Sequence, residues 1–325
     1  ALQKNLGIRV IYITPLRALN RDVQRRIVKY AELEGLKVEV RHGDTSSSAK
    51  KKMITNPPDI LITTPETLAI ILTNEKMLNI MKNLQWVIVD EIHELFSNER
   101  GAHLALSLER LQAITGNEIT RIGLSATIGN LKVAAKFVAG TDRKCAIIID
   151  NSIREYDIGV KFIKGSLNDV AKFTGDYVKD NHPHDSVLLF TNTRDEAEYI
   201  STVMKNNTTS VKVDVHHGSL SKDVRDETES RLRSGVAGIV VCTSSLELGI
   251  DIGSVELVIH NGSPRQVSKL MQRIGRSRHN IKQSAKGLLV TNNPDDELEA
   301  IAIIRRMRLN SIEKQSMHEM SLDVL

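Results

Sequence analysis

The sequence predicts an α/β protein of two domains, each built on a parallel sheet with helices on its faces. Three observations carry that expectation. Short apolar runs rich in Ile, Leu and Val alternate with longer helical patterns along the chain, as in βαβ units. The runs fall into two series separated by the polar stretch 150–156. The 325 residues suffice for two domains of ordinary size.

The first series predicts strands over 9–14, 38–42, 59–63, 86–90, 121–125 and 146–150. The second predicts strands over 157–163, 186–191, 211–216, 238–242, 256–260 and 287–291, followed by a helix over 295–309. Each run is continuous rather than alternating, which suits strands covered on both faces. Two junctions, Thr14-Pro15 and Thr64-Pro65, read as strand, capping Thr, Pro at the first helical position, then helix. One such junction is ordinary punctuation. Two in one domain begin to suggest a groove that tracks a phosphate backbone. Lys50, Lys51 and Lys52 read as a solvated helix face.

Composition narrows the classes. The two cysteines, Cys145 and Cys242, lie far apart in apolar stretches, which argues against a zinc site or disulfide framework and for a reducing, cytoplasmic compartment. No apolar run is long enough to cross a membrane. A net charge of +4 is compatible with a polyanionic partner without demanding one. His42, His216 and His217 sit at strand ends without metal-ligand spacing. Ala1 opens no signal-peptide pattern, so the chain reads as an internal piece of a longer protein.

The most informative stretch is 87–93. An apolar strand ends in Asp90-Glu91-Ile92-His93, which delivers two carboxylates to the crevice where open α/β sheets bind ligands. Such a pair suits Mg²⁺, held by Asp90, and a water activated by Glu91. Ser125-Ala126-Thr127 ends a neighbouring run, within reach of His93. Downstream, Ser263-Pro264 is expected to open a helix bearing Gln272, Arg273, Arg276 and Arg278. Gln272 and Arg276 are four apart and would share a face, which suits a triphosphate. A basic surface helix would explain the same residues. In 242–251, Thr243 and Ser244 cap a short helix that Gly249 would terminate, and Asp251 follows the turn. Simple capping explains the Thr and the Gly but not Asp251.

Taken in order, segments 14–19, 64–68, 90–93, 125–127, 190–194, 243–251 and 272–276 resemble the motif series of superfamily 2 helicases. Segments 43–45, 57–66, 101–111, 216–221, 243–253 and the closing 321–325 are similar to the idiom of the large-helicase-related (Lhr) family. That resemblance implies two RecA-like domains, the first N-terminally truncated. Residues 1–152 would be the first, 153–305 the second, and 306–325 a linker towards a winged-helix domain. It implies ATP and Mg²⁺ in the interdomain cleft, hydrolysis coupled to domain closure, and 3′-to-5′ movement of a monomeric motor on single-stranded or forked DNA, RNA or hybrid, in DNA repair. Carried over by residue, Asp90 and Glu91 hold the metal. Glu91, Asp90, His93, Gln272 and Arg276 serve catalysis, and Gly249, Asp251, Gln272, Arg273 and Arg276 bind ATP. Ser125 and Thr127 couple hydrolysis to movement. Thr14, Pro15, Arg17, Gly43, Thr64, Thr193, Arg194, His217, Thr243 and Ser244 contact the strand.

Two departures stand beside the likeness. Arg278 occupies a place where the superfamily has glycine, which leaves Arg273 and Arg278 both open as the second arginine finger. No Gly-x-x-x-x-Gly-Lys-Ser/Thr occurs in the sequence. In the family that phosphate loop lies upstream of Thr14, so the expectation is that 1–325 alone is inactive. The alternative is a nucleic-acid-binding module without ATPase activity.

Overall fold

The structure is a computed structural model that describes residues 7–116, 118–126, 128–140, 142–150, 155–207, 211–249, 252–278, 283–318 and 321. The chain forms two compact units, Ala1–Ile149 with Lys314–Leu325, and Asp150–Glu313.

In the first unit β1 (Val10–Ile13) leads to α1 (Arg17–Leu33), β2 (Val38–Arg41), α2 (Ser47–Thr55) and β3 (Ile60–Thr63). Then come α3 (Pro65–Ile71), α4 (Glu75–Ile80), β4 (Trp86–Val89), α5 (Glu99–Thr115), β5 (Thr120–Gly123) and α6 (Leu131–Ala139). The strands pair in the order β2-β3-β1-β4-β5, all parallel. Ile11, Ile13, Leu61, Val87 and Val89 supply the sheet's share of a core closed by Leu68, Ile71, Leu104 and Leu108 from the helices and by Phe96 from the turn before α5. The register sets Ile13 beside Thr63 and Val89, and Val89 beside Gly123. The residues that follow, Thr14, Thr64, Asp90 and the segment to Ser125, therefore leave the sheet along one edge.

In the second unit β6 (Tyr156–Phe162), α7 (Leu167–Asn181), β7 (Ser186–Phe190), α8 (Arg194–Asn207), β8 (Val213–His216) and α9 (Lys222–Arg233) come first. They are followed by β9 (Gly238–Cys242), β10 (Leu257–Asn261), α10 (Val267–Ile274), β11 (Ala285–Thr291) and α11 (Pro294–Arg308). The order is β6-β11-β10-β7-β9-β8, again all parallel. Every residue of β7 and β10 is buried, as a two-sided cover requires. Cys242 pairs with Phe190 and with His216, so Thr191, His217 and Thr243 emerge side by side.

Three sequence expectations need correction. Segment 146–150 is not a strand. A strand exists only with a ladder partner, and among the described residues β5 ends the sheet with no neighbour on its outer side, leaving Ile148 96% exposed. Helix α1 begins at Arg17, capped by Leu16 without a side-chain bond, because the Thr14 hydroxyl turns inward to Asn20 and Leu16. The Thr64-Pro65 junction does form as read, with Thr64 accepting from the Thr67 amide. Helix α10 begins at Val267, not at Ser263-Pro264: its first free amides, Val267 and Ser268, donate to the Glu313 carboxylate at 2.7 and 3.2 Å. That contact holds Glu313 against the start of α10. Beyond Glu313, Met317 packs on the first unit's core and the His318 amide donates to the Phe96 carbonyl.

Gly101 explains part of the 101–111 idiom. A Cβ there would lie 2.0 Å from the Leu95 carbonyl oxygen, so only hydrogen lets α5 pass that close to the turn before it. Gly101→Ala is expected to destabilise the first unit by about 1–3 kcal/mol, measured by chemical denaturation.

Candidate functional site

Asp90 leaves β4 with its amide bonded to the Ile13 carbonyl. Its carboxylate is held on both oxygens: the Tyr12 hydroxyl donates to Oδ2 at 2.8 Å, and the Glu91 amide to Oδ1 at 2.9 Å. Burial and the adjacent Asp90 charge raise the Tyr12 pKa, which keeps its proton in place as a donor. Each Asp90 oxygen retains lone-pair capacity for a cation. Tyr12 was not singled out in the sequence. An aromatic hydroxyl inside the first buried strand was the available signal.

Glu91 adopts φ 50°, a left-handed backbone that non-glycine residues seldom take. This turns the chain sharply into the 3₁₀ turn Ile92–Glu94. The Ile92 amide then donates to the Leu124 carbonyl, and the Leu124 amide to the Val89 carbonyl, tying the turn to the exit of β5. His93 is buried there. Its Nδ1 shares a 2.8 Å hydrogen bond with Ser125 Oγ and lies 3.5 Å from Glu91 Oε2, while Nε2 lies 3.6 Å from Glu94 Oε1. Thr127 lies outside the described residues.

Burial lowers the His93 pKa from its ordinary 6.5 to about 4, so the ring is neutral at pH 7. The unfolded chain takes up a proton in the window between those values while the folded chain does not. Stability therefore falls on acidification, by about 1.4 kcal/mol per pH unit inside the window, or roughly 2 kcal/mol by pH 5. Comparing denaturation of the first unit at pH 7 and 5 in the parent and in His93→Gln checks this. The variant is expected to lose most of the slope.

The other residues of this edge divide into buried and exposed groups. Thr14 and Thr64 are buried, and their hydroxyls serve the turn and the α3 cap. The Pro15 carbonyl accepts from Arg100 Nη2 at 2.7 Å, and Arg100 also pairs with Glu66. Arg17 is exposed and its Nη1 donates to both Asp44 carboxylate oxygens at 2.9 Å, while its Nη2 lies so close to Gly43 that a Cβ there would come within 2.9 Å of it. An exposed pair of this kind is weak, and a phosphate can replace Asp44 as the partner.

In the second unit Asn192, Thr193, Arg194, Asp195, Thr243 and Ser244 line one concavity of about 410 Å³. It gathers the exits of β7 and β9, which the sheet register places side by side. The Thr193 hydroxyl accepts from the Glu196 amide at 3.2 Å. Arg194 donates to Ser219 Oγ. His217 accepts the Ser219 amide at Nδ1 and meets Glu198 Oε1 at 2.7 Å through Nε2.

The arginine segment departs from a simple helical face. Helix α10 ends at Ile274, because Ser277 joins a bridge to Val255 and the Arg278 amide donates to the Val255 carbonyl. Gln272 is on the helix and Arg276 is in the turn after it. Arg276 donates from Nε and Nη2 to the Glu247 carbonyl at 3.2 and 2.9 Å. Arg273 points into the core: Nε and Nη2 each meet Glu247 Oε2 at 3.1 Å, Nη1 bonds His260, and the guanidinium covers the Phe190 ring. It is 4% exposed and serves the interior rather than a ligand. Arg278, at φ 45°, pairs with Glu256. The 3₁₀ turn Ser244–Leu246 ends on Glu247 in right-handed conformation, so Gly249 does not cap it, and Thr243 makes no side-chain cap. Asp251 lies outside the described residues. Sequence reasoning missed Glu247 and His260, whose significance arises only when β10, α10 and the 244–246 turn meet.

Residues 1–134 match the DEAD/DEAH box helicase family and residues 165–280 the helicase conserved C-terminal domain. The ATP-dependent helicase Lhr-Core of Methanocaldococcus jannaschii is 40% identical over 336 residues, covering 98% of this chain and 40% of the relative. The Lhr helicase/uracil glycosylase of Escherichia coli is 33% identical over 380 residues, covering 98% of this chain and 25% of the relative. The chain thus spans well under half the length of these relatives. Among solved structures, Mycobacterium smegmatis helicase Lhr bound to ssDNA and AMP-PNP superposes with a TM-score of 0.87 at 34% identity, over 99% of this chain and 45% of that one. The DEAD-box helicase Mss116 bound to ssRNA and UDP-BeF gives a TM-score of 0.80 at 19% identity over 99% of this chain and 67% of that one, a likeness of fold. With two RecA-like units, an acid pair at the end of β4 and these matches along nearly its whole length, the chain belongs to the superfamily 2 helicases, in the Lhr family.

Proposed function

We propose that this chain is the motor core of an ATP-dependent helicase that moves 3′ to 5′ on single-stranded nucleic acid, as a monomer, with Mg²⁺-dependent hydrolysis. The observation that supports it most is the Asp90–Glu91 turn, where an unfavourable backbone conformation sets two carboxylates beyond the strand ends. Strain of this kind persists where the surroundings enforce it, commonly at functional sites. A likeness to a helicase solved with ssDNA and AMP-PNP supports the choice of ligands.

In this reading Asp90, preorganised by Tyr12 and the Glu91 amide, holds the cation. Proteins hold Mg²⁺ with one or two carboxylates, water and substrate phosphates completing the shell, and the donors here fit that mode. The ion supplies charge neutralisation at the phosphates. Glu91 orients the attacking water and accepts its proton. Arg276, steadied on the Glu247 carbonyl, meets charge developing on the transferred phosphoryl group. Gln272 orients beside it. Arg17 on one unit, and Thr193, Arg194, Thr243 and Ser244 on the other, contact the phosphate backbone, which makes binding salt-dependent and indifferent to sequence.

The test uses the full-length protein. ATP hydrolysis should rise on adding single-stranded DNA or RNA, and duplexes with a 3′ tail should be unwound in preference to those with a 5′ tail. Strand binding with no stimulated hydrolysis would instead indicate a binding module.

A further inference from the structure

We infer that His216 is a positioning residue for the strand-binding concavity of the second unit, acting through Ser245 on the turn that carries Thr243 and Ser244. The inference rests on the reading of that concavity as a phosphodiester site.

The turn rests on His216 at three points. The His216 carbonyl accepts from the Thr243 amide at 3.3 Å and from the Ser245 hydroxyl at 2.9 Å. The ring Nδ1 lies 2.8 Å from the same Ser245 Oγ. A hydroxyl has one proton. Since Ser245 donates that proton to the carbonyl, the ring must be the donor in the other contact, so Nδ1 carries hydrogen and Oγ accepts. The ring and carbonyl of one residue thereby fix the rotor of Ser245 and the path of 243–245.

The ring is itself enclosed: His216 is 2% exposed. Its Nε2 lies 3.4 Å from Glu229 Oε1 without a hydrogen bond between them, and Glu229 Oε2 accepts from Arg233 Nη2 at 3.1 Å. Glu229 and Arg233 sit on α9, so that helix packs against the ring. The next residue serves the opposite wall: His217 holds the Ser219 amide, and Ser219 takes Arg194. Consecutive residues at a strand end project to opposite sides. The tandem His216-His217 thus ties the end of β8 to both walls of the concavity.

A packing role and a positioning role make different predictions. Affinity for a fluorescein-labelled oligo(dT) strand is measured by anisotropy across a salt series, using the full-length protein without nucleotide. Ser245→Ala and His216→Phe are each expected to weaken binding about tenfold, a hydrogen-bond-sized loss. The double variant should be no weaker than either single, because both remove the same link. His216→Asn, whose amide can donate from the Nδ1 position, should bind within about threefold of the parent. The salt slope should stay unchanged in all of these. Arg194→Ala should reduce its magnitude by about 0.7, the loss of one phosphate contact on a single strand.

Additive losses in the double variant would reduce His216 to a packing residue. Parental affinity in Ser245→Ala, which removes one oxygen and keeps the core, would also overturn the inference. If Arg194→Ala leaves both affinity and slope unchanged, the concavity is not the strand site and the inference falls with that reading. If Arg194→Ala behaves as expected while the His216 and Ser245 variants bind as the parent, the inference alone falls.

Discussion

Glu91→Gln is expected to leave nucleotide and strand binding close to parental and to lower strand-stimulated ATP hydrolysis by about 10²–10⁴-fold. The amide keeps the size of the carboxylate and its place in the left-handed turn, but it cannot accept a proton from water. The surroundings favour this separation of roles. Burial disfavours the protonated form of His93, which makes the ring a weak base, and its Nδ1 is bonded to Ser125, so it is a poor substitute for Glu91. Asp90 is engaged with Tyr12 and the Glu91 amide through bonds that the substitution leaves untouched. Steady-state hydrolysis with saturating single strand, measured on the full-length protein, checks this. A stimulated rate within a few-fold of the parent would remove Glu91 from the role of base.

Arg273→Met is expected to destabilise the second unit by about 3–5 kcal/mol, because it leaves the Glu247 carboxylate buried without its partner. The pair is 5% exposed on both sides, and the guanidinium also covers Phe190 and donates to His260. Burial, and then the Arg273 charge, push the His260 pKa down to about 3, which keeps its Nε2 an acceptor for that donor. Arg273→Met with Glu247→Leu should recover much of the loss, since replacing both members of a buried pair by apolar groups is often close to neutral. Urea denaturation of the three variants measures the coupling. A single-variant loss below about 1 kcal/mol would mean that water reaches Glu247. The distinction matters for Arg276, because Glu247 holds one arginine by its carboxylate and the other by its carbonyl.

Most strands were legible because a strand covered on both faces must be continuously apolar, and few other local patterns look the same. The same reasoning failed at 146–150. That run has the right composition, but a strand also needs a ladder partner, and composition does not say whether the segment pairs with the sheet edge. The carboxylates were legible for a related reason: two acids that interrupt a buried run can only stand where the run leaves the sheet. The arginines were not. Spacing placed Arg276 on a helical face with Gln272 and left Arg273 open to a nucleotide. The helix in fact stops at Ile274, and Arg273 turns inward to an acid 26 residues earlier in the chain.

By itself, the sequence determined the repeating βαβ architecture, the division into two units near residue 150, the acid pair at the end of β4 and the family. All of these follow from local periodicity and from residues read in order. Only the tertiary structure decided which hydroxyls face inward, as at Thr14, which arginine is structural, as at Arg273, and which unremarked side chains hold the site, as with Tyr12, Glu247, Ser245 and His216. The reason is physical. A buried polar atom must find a partner, and the nearest one across a sheet register or a helix packing is set by distance in space, which spacing along the chain does not encode.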